Sequence, residues 1–217
     1  MSRPKWAMVI MAVCLVVTIA AAAYAAGKAK ASVPKVVRAQ RFELVDARGK
    51  QRAILNMFPD GSPGLALIDA KGEPRMMLSM FPDGRSFLAL SDEKGKGRAK
   101  VWLTKNGNPM LTFSDEKGET RASLCLNPDS TPSLTLSDEK GKPRATLAVS
   151  RDDTPHLALF DGKVQVRAGL MLLADGSPNL ALRDMKGNLR VVLMLDTDGR
   201  PALRLNDEQE QSIAALP

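Results

Sequence analysis

The sequence predicts an all-β fold: a 23-residue hairpin repeat written eight-fold as a continuous antiparallel meander, preceded by one apolar helix. Three observations carry this. Asp recurs at Asp46, Asp69, Asp92, Asp115, Asp138, Asp161, Asp184 and Asp207, and Arg keeps the same interval from Arg52 to Arg190. Leu does so from Leu65 to Leu203. Within each unit two short runs alternate apolar and polar residues, as in Ala53-Leu55-Met57 and Leu65-Leu67, with Gly, Pro and Asp between them. Period-two alternation marks strands, and Gly or Pro about every dozen residues excludes long helices. Register this strict means internal repetition, with two strands per unit.

Before the repeats, residues 7–26 form an uncharged, mostly apolar stretch of about the length that spans a bilayer as a helix. Two readings fit residues 1–26. The apolar run after Arg3 and Lys5, ending in Ala23-Tyr24-Ala25, resembles an export signal with a small-x-small cleavage site. Alternatively the stretch is retained as a single membrane anchor. Residues 27–41 form a basic linker, and residues 42–217 the repeat domain. The formal charge is +7. Seven basic and no acidic residues lie in positions 1–41, leaving 24 of each sign from Phe42 onward. The excess therefore flanks the apolar stretch, which argues for a membrane-side role and against nucleic acid as a partner. Taken alone, the five basic residues after the stretch would keep the repeats cytoplasmic by the positive-inside rule. The cleavage site favours export, and the expected location is membrane-anchored or exported, in a bacterial periplasm or at a cell surface.

The turns follow from register. Placing Leu55 opposite Leu65 leaves Pro59-Asp60-Gly61 as a three-residue loop with Gly in the left-handed position. Ser130 and Asp153 occupy the Gly61 position in later units, and Ser130 is the least comfortable there. Pairing Leu67 with Met76 leaves a four-residue second loop. In that register Asp69 and Arg75 point to opposite faces, so Asp69 is expected to accept loop amides rather than pair with Arg75. In Phe160-Asp161-Gly162-Lys163-Val164 the Gly comes two places early, so this turn should differ from its siblings. Half-units at both ends allow a solenoid or a rolled, closed sheet, with a four-bladed propeller as the alternative.

The repeat resembles uncharacterised bacterial tandem hairpin proteins with the pattern DxxGKxRAxL…DGxPxLxL, over Phe42 to Leu205. It shares its period with MORN repeats but lacks their Gly, Tyr and Trp signature. The resemblance implies a hairpin repeat and carries no assigned activity.

The residues show no catalytic constellation. His156 is the only histidine, and Cys14 and Cys125 lie in different segments, so no disulfide framework exists within the repeats. No nucleophile elbow, phosphate loop or dinucleotide fingerprint is present. One fixed Asp per connection is fewer than a calcium repeat concentrates, so no metal and no cofactor are expected. Aromatics are 4% of residues, too few for the stacking platforms of single-strand nucleic-acid binders. The candidate interaction patch is Met57-Phe58 with Met80-Phe81, where the first two hairpin tips carry Phe at one repeat position. The expectation is a non-enzymatic envelope scaffold or protein-interaction module, with a protein partner or a homo-oligomer and membrane contact through residues 7–26 if these are kept. A propeller-like module for a small molecule or glycan is the alternative.

Overall fold

The computed structural model describes Thr18 and residues 36–216, with side chains to residue 214. The expected signal or anchor and most of the linker lie outside the described residues. Contacts divide the chain into Met1–Ala39 and Gln40–Pro217. The second unit is all β: sixteen strands in one sheet, paired in sequence order. Edge strand β1 is Arg41–Val45; the first full unit supplies β2 (Gln51–Met57) and β3 (Pro63–Ile68), and the next β4 (Pro74–Met80) and β5 (Ser86–Ser91). The pattern continues through β6 (Gly97–Leu103), β7 (Pro109–Ser114), β8 (Thr120–Leu126), β9 (Pro132–Ser137) and β10 (Pro143–Val149). It ends with β11 (Pro155–Phe160), β12 (Val166–Leu172), β13 (Pro178–Arg183), β14 (Leu189–Leu195), β15 (Pro201–Asn206) and β16 (Ser212–Leu216). Every strand touches only its sequence neighbours, and β1 does not pair with β16. The meander is therefore an open single layer, neither a closed ring nor a propeller. Successive 23-residue units are equivalent, which leaves no inner and outer strands for a blade.

Leu55 pairs with Leu65, Leu65 with Leu78 and Leu67 with Met76, as the alternation requires. The two connections are one turn. Phe58 N–H donates to Ser62 and Gly61 N–H to Phe58; likewise Asp69 N–H donates to Glu73 and Gly72 N–H to Asp69. Both loops hold three residues, which corrects the four-residue second loop. The difference is a bulge: the register shifts between Leu67 and Ile68, so that Arg75 is an extra residue on β4. The period requires it. Two three-residue loops on regular strands repeat over an even number of residues, so a 23-residue unit needs one unpaired residue to return leucine to the same face.

The Gly162 turn is a second correction. Asp161 N–H donates to Gln165 and Val164 N–H to Asp161, the same geometry as its siblings. Val164 takes the left-handed position with φ 64°, beside Ser130 at 67° and Asp153 at 62°. The hydrogen bonds and the bulge dictate the turn, and the β-branched side chain conforms at a cost of about 1–2 kcal/mol. Val164→Gly is thus expected to stabilise the sheet by about 1 kcal/mol, after allowing for the entropy of Gly in the unfolded chain. The denaturation midpoint should rise; a lower midpoint would contradict the strain.

Candidate functional site

The sheet has two faces of different character. On the first, a row of Leu runs across the strands, broken only by Val101: Leu55, Leu65, Leu78, Leu88, Val101, Leu111 and onward to Leu203. A second row on this face alternates large and small: Ala99, Phe113, Ala122, Leu136, Ala145, Leu159. A third row, by the Phe58-type turns, pairs Met57, Leu103 and Leu126 with Pro63, Pro109 and Pro132. From β2 to β15 none of these rows contains a charged residue. No described element packs on the face. Leu55, Leu124 and Leu147 remain 47%, 50% and 53% exposed, sheltered only by neighbours along the sheet.

The second face mixes small and polar residues with large ones such as Ile54, Met77, Phe87 and Trp102, and it holds the most buried residues: Ala66 and Ser79 are 7% and 5% exposed. Short side chains flanked by long ones on adjacent strands are covered by them. Ala66 lies between Ile54 and Met77, and Ser79 between Phe87 and Gly64, over which the Phe58 ring folds.

The structure divides the expected Phe–Met patch between the faces. Met57 and Met80 are exposed on the leucine side. Phe58 folds over Gly64 on the second face, where a Cβ would overlap its ring. Phe81 packs on Phe87 with centroids 4.8 Å apart, and the Arg85 guanidinium sits 4.6 Å above it.

The Asp–Arg edge is the third correction. Asp69 Oδ1 accepts the N–H groups of Lys71 and Glu73, while Oδ2 accepts Nε and Nη2 of Arg75 at 2.7 and 2.5 Å. Asp69 is turn-former and ion-pair partner at once, because the bulge at Arg75 breaks the alternation that would have parted them. Equivalent pairs run from Asp46–Arg52 at 2.6 Å to Asp184–Arg190 at 3.8 Å. The guanidinium also reaches the next unit: Arg52 Nη1 donates to Asp69 O, Arg75 Nη1 to Asp92 O, and Arg98 Nε to Ser114 O. The Glu73 amide foremost, then Arg75, hold the Asp69 carboxyl down at about 2. The same amide contacts lower Asp46, Asp138 and Asp161. At Asp92, Asp115 and Asp184 partial burial pushes the carboxyl up, and the amide hydrogen bonds outweigh it. Loop amides hold Oδ1 from Asp46 to Asp184. The guanidinium hydrogen-bonds Oδ2 at Asp46, Asp69 and Asp92 and stands 3.6–3.9 Å away in the later pairs, so this carboxylate ladder is structural.

His156 Nδ1 lies 3.1 Å from Ser150 Oγ at a hairpin tip, and Cys125 Sγ 3.2 Å from Ser133 Oγ. Among the described residues no three His, Cys, Asp or Glu side chains gather as a metal-ligand group. One concavity breaks the uniformity, a space of about 490 Å³ on β6–β8 lined in part by Lys100, Trp102, Met110, Thr112, Ser114 and Ser123. Trp102 Nε1 is buried there without a hydrogen-bond partner.

No family model matches the sequence, and no curated protein matches it. Among solved structures the chain is similar to the TCP10 domain of Danio rerio CPAP, solved with a peptide of Danio rerio STIL: 17% identity, TM-score 0.30, covering 81% of this chain and 98% of that one. It is also similar to the TCP domain of Drosophila melanogaster SAS-4 (dCPAP), solved with a proline-rich motif of Ana2 (dSTIL): 11% identity, TM-score 0.43, covering 79% and 94%. Similarity this loose assigns neither a family nor a partner.

Proposed function

We propose that this protein is an interaction scaffold whose working surface is the leucine face, held at an envelope membrane by its N-terminal segment. The exposed leucine row carries the reading. Uncovered apolar area of more than a few hundred Å² on a folded domain marks a surface that another surface covers. The apolar stretch at residues 7–26 with its basic flanks supports the placement. A photo-cross-linking residue at Leu124 of the full chain is expected to give adducts in cells, and one at Thr135, on the opposite face, is not. Equal yields from the two positions would remove the reading.

The alternative, a ligand-binding propeller, loses its architecture because the sheet is open. What remains of it is the concavity at Trp102, where the unpartnered Nε1–H would donate to a small polar ligand. Binding there would change Trp102 fluorescence, and oligosaccharide or small-anion titrations that leave the emission unchanged would dispose of it.

A further inference from the structure

The occupant of the leucine face follows from its relief. We infer that the face is covered by the same face of a second copy of this chain, the two sheets closing as a sandwich; this rests on the scaffold reading above. Three features point to the copy. The first is composition: no charge interrupts the three rows from β2 to β15, so the covering surface must be apolar along its whole length.

The second is relief. In the row beside the leucines, Phe113, Leu136 and Leu159 stand as knobs on alternate strands, with Ala99, Ala122 and Ala145 as notches between them. A knob on every second strand recurs at about 10 Å, and a face whose knobs and notches share one spacing is complementary to itself after a shift of one strand. A two-fold axis then brings knobs of each copy to notches of the other, as an isologous interface requires. Both sheets carry the same twist, so they stack in the aligned manner of β-sandwiches, inner side chains interdigitating.

The third is area. Sixteen strands extend on the order of 70 Å across the sheet, and three rows of apolar residues are roughly 14 Å wide, so each copy offers on the order of 1,000 Å². Closing two faces removes on the order of 2,000 Å² from water, the range of permanent homodimers.

The experiment uses the full chain in membranes, expressed as two forms with different epitope tags and a photo-cross-linking residue at Leu124. The expected adduct carries both tags and has twice the mass of the 23.4 kDa chain, and it is absent with the cross-linker at Thr135. Adducts with one tag and a different added mass, protein or lipid, would overturn the second copy while leaving the interaction surface intact. No adduct from Leu124 would overturn both. Filling a notch with Ala122→Phe should lower the two-tag yield at least tenfold, and Thr146→Phe, the same side chain on the opposite face, should leave it unchanged. Circular dichroism confirms that both variants keep their strands. Equal yields for the two variants would overturn the interdigitated pairing.

Discussion

Acidification from pH 5 to pH 2 is expected to dismantle the sheet. The repeat aspartates from Asp46 to Asp184 are held below their ordinary value of 3.8, Asp69 at about 2, by the loop amides and the paired arginines or, at Asp184, Asn188 and Arg190. A carboxyl whose folded pKa is depressed contributes stability that is fully present above its unfolded pKa and is lost as pH falls through the folded one. The window is therefore about pH 4 to pH 2. The other turns act in the same direction: Asp60, Asp129, Asp152 and Asp175 are lowered by Ser or Thr hydroxyls two residues on. Because the carboxylates recur in every unit and no core lies beneath them, their losses accumulate along the array. Denaturant midpoints measured at each pH should be level above pH 5 and fall steeply below pH 4. A midpoint unchanged at pH 2.5 would show that the aspartate turns do not hold the sheet.

Ala66→Asp is expected to unfold the N-terminal hairpins and spare the rest. Ala66 is 7% exposed between Ile54 and Met77, and the nearby Arg52 is already engaged by Asp46 and Asp69 O. An uncompensated carboxylate buried there costs about 3 kcal/mol. In a compact domain that loss would lower global stability. In a single layer where each strand touches only its neighbours, stability is a sum of adjacent terms and the damage stays local. Hydrogen exchange should therefore lose protection over β1–β4 and keep it from β7 onward. Measured on the isolated chain, uniform loss across all sixteen strands would show a cooperativity that a single layer does not contain.

Strand number, pairing partners and the leucine face were legible from alternation and punctuation, because strand periodicity is local. The left-handed positions of Ser130 and Asp153 followed from turn chemistry in the same way. The Arg75 bulge was also encoded, since an odd period conflicts with two equal three-residue turns. It escaped because a four-residue loop satisfies the same parity, and only the backbone hydrogen bonds separate the two. Val164 escaped for a related reason: repeated neighbours impose the turn, and one unfavourable residue does not outweigh them. The fate of Phe58 depended on Gly64 across the hairpin, a contact between side chains that no spacing specifies. The knob-and-notch row was readable as Ala and Leu in alternation, once pairing placed those residues side by side.

The sequence by itself determined a 23-residue hairpin with one apolar face, because turn residues and period-two alternation act within a few residues of each other. Tertiary structure decided that the sheet stays open, that Asp69 and Arg75 meet, and that the leucines remain uncovered. These outcomes depend on how successive hairpins add across tens of ångströms. One bulged residue per unit sets that sum.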